Sequence, residues 1–65
     1  MPGSRILLID DVLATGGTIS AALDLIADVG GVVPVISVLI EIASLKGRDL
    51  INTRYQGSLE ALLQV

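Results

Sequence analysis

Asp10 and Asp11 stand three residues ahead of Ala14-Thr15-Gly16-Gly17-Thr18 in the stretch IDDVLATGGT, residues 9–18. The two halves of this stretch favour opposite partners. An ionised carboxylate only accepts hydrogen bonds, so it repels phosphate and binds hydroxyl groups. A Gly-Gly pair between threonines at the start of a helix attracts anions. The first helical turn has N–H groups without intrahelical partners and carries the positive end of the dipole. Gly16 and Gly17 allow close backbone approach and positive φ, and Thr15 and Thr18 add hydroxyl donors. One ligand satisfies both halves: a phosphate at one end with a vicinal diol a few ångströms away, as in ribose 5-phosphate. Mg²⁺ would relieve the remaining repulsion, because it takes carboxylate and phosphate oxygens and keeps its waters. Two other phosphate motifs do not fit. Thr18 stands where a P-loop needs Lys, and an adjacent glycine pair is not the spaced dinucleotide fingerprint.

The elements around this loop must hold it at a strand end. RILLI, residues 5–9, reads as a strand buried on both faces, preceded by a Pro2-Gly3 turn. From Thr18 the period becomes helical, with Ile19, Ala22, Leu23, Ile26 and Val29 on one face. Either Thr15 or Thr18 is placed to cap this helix, and Gly30 to end it in the left-handed conformation. Gly30 and Gly31 are therefore a helix stop rather than a second ligand loop. Asp24 and Asp28 put like charges four apart, which the sequence does not explain. VVPVISVLI, residues 32–40, is a second strand, with Pro34 near its start. Together these make a right-handed βαβ unit with a parallel sheet, an α/β fold. SLKGRDLI, residues 44–51, reads as a short helix or a turn, and NTRYQG as a loop. SLEALLQV, residues 58–65, is either a helix or a last strand, with strand favoured.

Size and composition narrow the setting. A chain of 65 residues is at most one small domain, and such chains usually need a staple or a partner. It has no Cys and no His, so neither disulfides nor a Cys/His zinc site is available. Hydrophobic residues make up 52%, yet Tyr55 is the one aromatic, so the core is aliphatic. A net charge of −3 gives no basic footprint for nucleic acid or for an anionic membrane surface. The longest apolar run, residues 29–40, is far short of the roughly 20 residues of a membrane span. MPGSR lacks the apolar core of a signal peptide, and a cytoplasmic location is expected. Two strands that read as covered on both faces, with one good helix, leave one sheet face apolar and bare. That predicts part of a larger domain, or folding on association.

The stretch ILLIDDVLATGGT resembles the phosphoribosyl-pyrophosphate (PRPP) motif of the type I phosphoribosyltransferases: a hydrophobic strand, two acids, a short spacer and a small-residue loop. LATGGT and the later SVLIEIASLKGRDLI are similar to the adenine branch of that family, and the likeness runs from residue 2 to about 50. The resemblance implies a parallel-sheet βαβ piece of that fold, with residues 1–65 as the C-terminal part of one domain whose N-terminal half is absent. It implies Asp10 and Asp11 on the ribose 2′- and 3′-hydroxyls and near Mg²⁺ through water. It also implies Ala14, Thr15, Gly16, Gly17 and Thr18 around the 5′-phosphate. The family reaction joins adenine and PRPP into AMP and pyrophosphate, a glycosyl transfer of purine salvage. Branches of the family specific for hypoxanthine and guanine carry Asp at the place of Ala14, so Ala14 fits the adenine branch. No general acid for the base is evident, so no residue is assigned a catalytic proton transfer. The isolated chain is expected to be inactive, and a homodimer or association with the missing part is implied.

Other readings stay open at this level. A PRPP-sensing module without catalysis, or an inactive gene fragment, would carry the same loop. Lys46 and Arg48 read as surface or subunit contacts, Glu41 as a strand-end carboxylate at the surface, and Tyr55 as packing.

Overall fold

The first strand does not stop where its apolar run stops. In the computed structural model, which describes residues 3–65, β1 spans Arg5–Leu13 and includes both acids. Strand pairing uses backbone groups and is indifferent to side-chain polarity, so the ladder continues past Ile9 through Asp10↔Val38 and Val12↔Ile40. The expectation that the acids lie in the loop is thus corrected: they sit on the last turns of pleat before it. Gly3 takes φ 80 at the predicted turn, while Pro2 lies outside the described residues.

The remaining order is α1 (Gly17–Asp28), β2 (Val32–Glu41), a 3-10 turn (Ala43–Leu45), α2 (Gly47–Asn52) and β3 (Ser58–Gln64). The segment left between helix and turn therefore contains both. The C-terminal run is the favoured strand, its Leu59 and Ala61 half-buried and Ser58 and Glu60 exposed. The sheet is parallel throughout, in the order β1-β2-β3. Each parallel join needs a crossover, which α1 and α2 supply.

Gly30 ends α1 as predicted. It takes φ 76, its N–H donates to the Ala27 carbonyl at 3.0 Å, and the Gly31 N–H donates to Ile26 at 2.9 Å. This paired pattern satisfies the last carbonyls of the helix. Val29 lies beyond the helix and is exposed, so the apolar face ends at Ile26. The like-charged Asp24 and Asp28 now have a rationale for one member. Arg54 pairs with Asp24 at 2.5 Å and donates to the Ser20 hydroxyl at 2.8 Å, tying α1 to the loop before β3. That hydrogen bond lowers the Asp24 carboxyl below its ordinary value.

The core lies on one face of the sheet. Leu13, Ile19, Leu23, Ile36, Val38 and Ile51 form one cluster, with Leu8, Leu59 and Tyr55 packed against it. Tyr55 is packing, as expected, and its hydroxyl donates to the Val33 carbonyl at 2.8 Å. On the other face Leu7, Ile9, Leu39 and Leu62 are exposed, Ile9 at 68% and Leu62 at 82%. The bare apolar face anticipated from the helix count is present.

Glu41 departs from its expected place at the surface. It is 3% exposed and grips Arg48 through two oxygens, with Arg48 Nη2 at 2.8 Å from Oε1 and Nε at 3.0 Å from Oε2. Arg48 Nη1 also donates to the Leu59 carbonyl at 2.9 Å. A fork-to-fork pair of this kind fixes direction as well as energy. It locks the start of α2 to the end of β2. The Arg48 hydrogen bonds lower the Glu41 carboxyl below its ordinary value, against the opposing effect of burial. Replacing Arg48 by Ala strands a buried carboxylate and is expected to cost about 3 kcal/mol, seen as a lower urea midpoint. Because the folded Glu41 value is depressed, this contribution is complete above the ordinary glutamate range. It is lost as pH falls through the folded value, so the wild-type midpoint should drop on acidification more than that of Arg48→Ala.

Candidate functional site

The candidate site occupies the carboxyl end of β1 and the first turn of α1, where ligands bind in open parallel sheets. Residues 12–19 line a small hollow there. Its floor is built by Gly16, buried, with φ 90. An L side chain is strained at that φ, and a Cβ would also meet the Gly47 carbonyl at 2.9 Å. Gly16 is the N-cap of α1, and no side chain caps the helix. Neither Thr15 nor Thr18 performs that role, which corrects the capping expectation. Both hydroxyls are left exposed at the rim. The first helical bond is Ser20 N–H to the Gly16 carbonyl at 2.9 Å. The N–H groups of Gly17, Thr18 and Ile19 therefore have no intrahelical acceptor, and these residues line the hollow.

The two glycines do different work. Positive φ belongs to Gly16 alone of the pair, contrary to the expectation for both. Gly17 is exposed and opens α1, and a Cβ there would touch only Thr15 Oγ1, at 3.8 Å. The fold has room for a side chain at Gly17, which lines the hollow. Ala14 is half-buried at the entry to the loop.

The acids hold themselves against the strand. Asp10 Oδ1 accepts from the Asp11 N–H at 2.8 Å, and Asp11 Oδ1 accepts from the Val12 N–H at 2.8 Å. Consecutive strand residues point to opposite faces, so the carboxylates diverge. Asp10 is half-buried on the pleat of Leu8, and Asp11 is exposed. Each keeps an oxygen free of protein partners among the described residues. Those residues contain no cluster of three metal-ligating side chains. This donor set suits Mg²⁺ carried by ligand oxygens and water, not a cation caged by protein.

Of the residues that the sequence singles out, Ala14, Thr15, Gly16, Gly17 and Thr18 line the hollow, while Asp10 and Asp11 precede it on β1 and are not among its lining residues. The structure adds Gly47, within LKGR, to which the sequence alone assigns no role. Gly47 is buried with its backbone against Ala14 and Gly16. A glycine flanked by Lys and Arg was the available signal, and its tertiary neighbour was not visible. Lys46 is exposed, and Arg48 is committed to Glu41. Tyr55 reaches Val33 at the amino end of β2, away from the hollow.

This geometry has close counterparts. The model of the phosphoribosyl transferase domain matches residues 1–57. Adenine phosphoribosyltransferase of Thermobifida fusca is 62% identical over 48 residues, 74% of this chain and 27% of that protein. The enzyme of the same name from Acidiphilium cryptum is 47% identical over 55 residues, 85% of this chain and 32% of its own length. Among solved structures, adenine phosphoribosyltransferase from Thermoanaerobacter pseudethanolicus superposes with a TM-score of 0.90 at 35% identity, covering 100% of this chain and 37% of that one. The Trypanosoma brucei enzyme, in complex with AMP, pyrophosphate and ribose-5-phosphate, gives 0.85 at 33% identity, covering 95% of this chain and 28% of its own. The chain thus spans about a third of the length of the relatives it matches. With an uncapped helix start behind two strand-end acids, and a family model matched over most of its residues, the chain belongs to the phosphoribosyltransferase family.

Proposed function

We propose that this chain supplies the ribose-5-phosphate half of an adenine phosphoribosyltransferase site, as the C-terminal part of such a domain. The observation that carries this reading is the uncapped start of α1 at Gly16, open to the hollow and preceded by two strand-end carboxylates with free oxygens. The likeness to adenine phosphoribosyltransferases, one of them solved with ribose-5-phosphate, supports it.

In this reading the N–H groups of residues 15–18 and the Thr15 and Thr18 hydroxyls hold the 5′-phosphate. Asp10 and Asp11 accept hydrogen bonds from the ribose hydroxyls. The free oxygens of the same two acids would hold Mg²⁺ through water, and that ion supplies charge neutralisation for pyrophosphate. The reaction forms a bond from an adenine ring nitrogen to C1′ as the C1′–O bond to pyrophosphate breaks. Pyrophosphate leaves with the bonding pair, and the ring nitrogen loses its proton. The ribose ring gains oxocarbenium character on the way, and the work of the chain is to position it and to place negative charge near it. The base pocket and the pyrophosphate contacts belong to the complementary part, which would also cover the bare face of the sheet; a homodimer is the other way to cover it. A cytoplasmic setting accords with this chemistry. Among the described residues no helix is long and apolar enough to cross a membrane.

A second reading, a module that binds PRPP without transfer, draws on the position of Tyr55, the one aromatic, at the opposite end of the strands from the hollow. Joining this chain to the N-terminal part of a family enzyme separates the two. AMP formation by the folded hybrid is expected; a folded hybrid that binds PRPP without making AMP favours the module.

Binding by the chain itself tests the site. Asp10→Ala and Asp11→Ala should each weaken ribose 5-phosphate by about tenfold or more, the worth of a charge-assisted hydrogen bond. Gly17→Val should abolish binding and leave the urea midpoint close to wild type, because a branched side chain would be added at the lining of the hollow where the fold offers room, a Cβ there meeting nothing nearer than Thr15 Oγ1 at 3.8 Å. Isothermal titration of the three variants reads this; unchanged affinity in all three removes the assignment.

A further inference from the structure

The phosphate loop does not stand alone. The start of α2 is pressed against it from below, with no side chain between. A Cβ on Gly47 would lie 2.2 Å from the Ala14 carbonyl oxygen and 3.0 Å from the Gly16 nitrogen. A Cβ on Gly16 would lie 2.9 Å from the Gly47 carbonyl oxygen and 3.3 Å from Leu50 Cδ2. Two buried glycines thus meet backbone to backbone, one of them at φ 90. Neither can gain even a methyl group unless main chain moves. What holds α2 in that position is not the loop itself but the neighbouring end of β2 and the core. Arg48, the next residue, is clamped to the buried Glu41 and to the Leu59 carbonyl, and Ile51 is fully buried in the core. The chain before Gly47 is also constrained, since Lys46 is the one non-glycine residue with positive φ among those described, at 58.

We infer that Gly47 is a positioning residue for the phosphate loop: α2, anchored by Arg48 and Ile51, sets the conformation of residues 14–17 through the bare Gly16–Gly47 contact. The inference rests on the phosphate-loop reading for its ligand, but the contact itself is independent of any ligand. Its direct consequence is that the loop is pre-shaped before phosphate arrives. A displacement at Gly47 moves the N–H groups that would receive the phosphate and leaves their chemistry unchanged. Misplacement by about 1 Å is enough to remove most of the benefit of orientation.

The test compares Gly47→Ala with Gly31→Ala in the full 65-residue chain. Gly31 is a second crowded glycine at the other end of the strands, where a Cβ would first meet not main chain but the side-chain ends Ile26 Cγ2 and Ile6 Cδ1, both at 2.7 Å. Two-dimensional amide NMR without ligand comes first. Gly47→Ala should move the Thr15–Thr18 amide peaks while the rest of the spectrum keeps its dispersion, and Gly31→Ala should leave those peaks in place. Titration with ribose 5-phosphate follows. Gly47→Ala should lose at least about tenfold in affinity, and Gly31→Ala should match wild type. Unmoved loop peaks in Gly47→Ala, or the same loss of affinity in Gly31→Ala, overturns the inference. So does a wild-type spectrum without dispersed peaks, since the contact would then not exist in this chain. If the loop peaks move as expected and wild type does not bind ribose 5-phosphate, the contact stands and the phosphate-loop reading fails. A Gly47→Ala variant that unfolds is replaced by Leu50→Ala, which relieves the side of Gly16 without touching Gly47 and should shift the Gly16 and Gly17 peaks; no shift there overturns the inference as well.

Discussion

Parallel pairing of β1 with β2, with Leu13 set opposite Glu41, is the constraint on which the remaining arrangement depends. It brings two strand ends to one edge of the molecule. From the first emerges the loop that starts α1. At the second lies the carboxylate that holds Arg48 and, through it, α2. A parallel register cannot be closed by a tight turn, so a helix must return the chain each time. The same requirement that produces α1 as a crossover also leaves the start of α1 at the strand ends, with its first N–H groups unpaired. The anion-binding potential of the site is therefore a by-product of the topology, which the sequence exploits by placing Gly16 there and withholding a side-chain cap.

The sheet is finished on one side only. One face packs Ile36 and Val38 beneath both helices, while the other presents Leu7, Ile9, Leu39 and Leu62 to solvent. Monomeric proteins seldom leave a contiguous apolar surface of this kind without a partner for it. Relatives about three times as long have additional chain beyond the part that this chain matches. Stability and function are linked at this point. The six-residue core is aliphatic and small, so the buried Glu41–Arg48 pair carries more of the order of the site end than such a pair would in a larger domain. Removing Arg48 from it would leave the buried Glu41 carboxylate without its charged partner.

Much was legible from residue types alone. Continuous apolar, β-branched runs placed both strands, the 3.6 period placed α1, Gly30 marked the helix stop, and the acids with the Thr-Gly-Gly-Thr turn marked the candidate site. These are local signals: propensity, capping geometry and the chemistry of acceptors against donors. The misreadings share one cause. An apolar run ends at Ile9, where the acids begin, although ladder bonds need no apolar side chain. Cap preference points to a threonine, although Gly16 holds that position for steric reasons. A lone carboxylate such as Glu41 belongs at the surface by type, and its partner is seven residues away on another element.

What the sequence by itself determined was the fold class, the bare face and the donor and acceptor types along the loop. These follow from residue order and from the hydrogen-bonding capacity of each side chain, which no packing can alter. What only the tertiary structure decided was which glycine is indispensable to the fold, why Asp24 is tolerated beside Asp28, and what lies under the loop. Each of these is a contact between residues distant in sequence: Gly16 with Gly47, Asp24 with Arg54, Glu41 with Arg48. Such pairs exist only once the strands have fixed the elements in space. Their energies depend on distance and burial, which a linear order of residues does not contain.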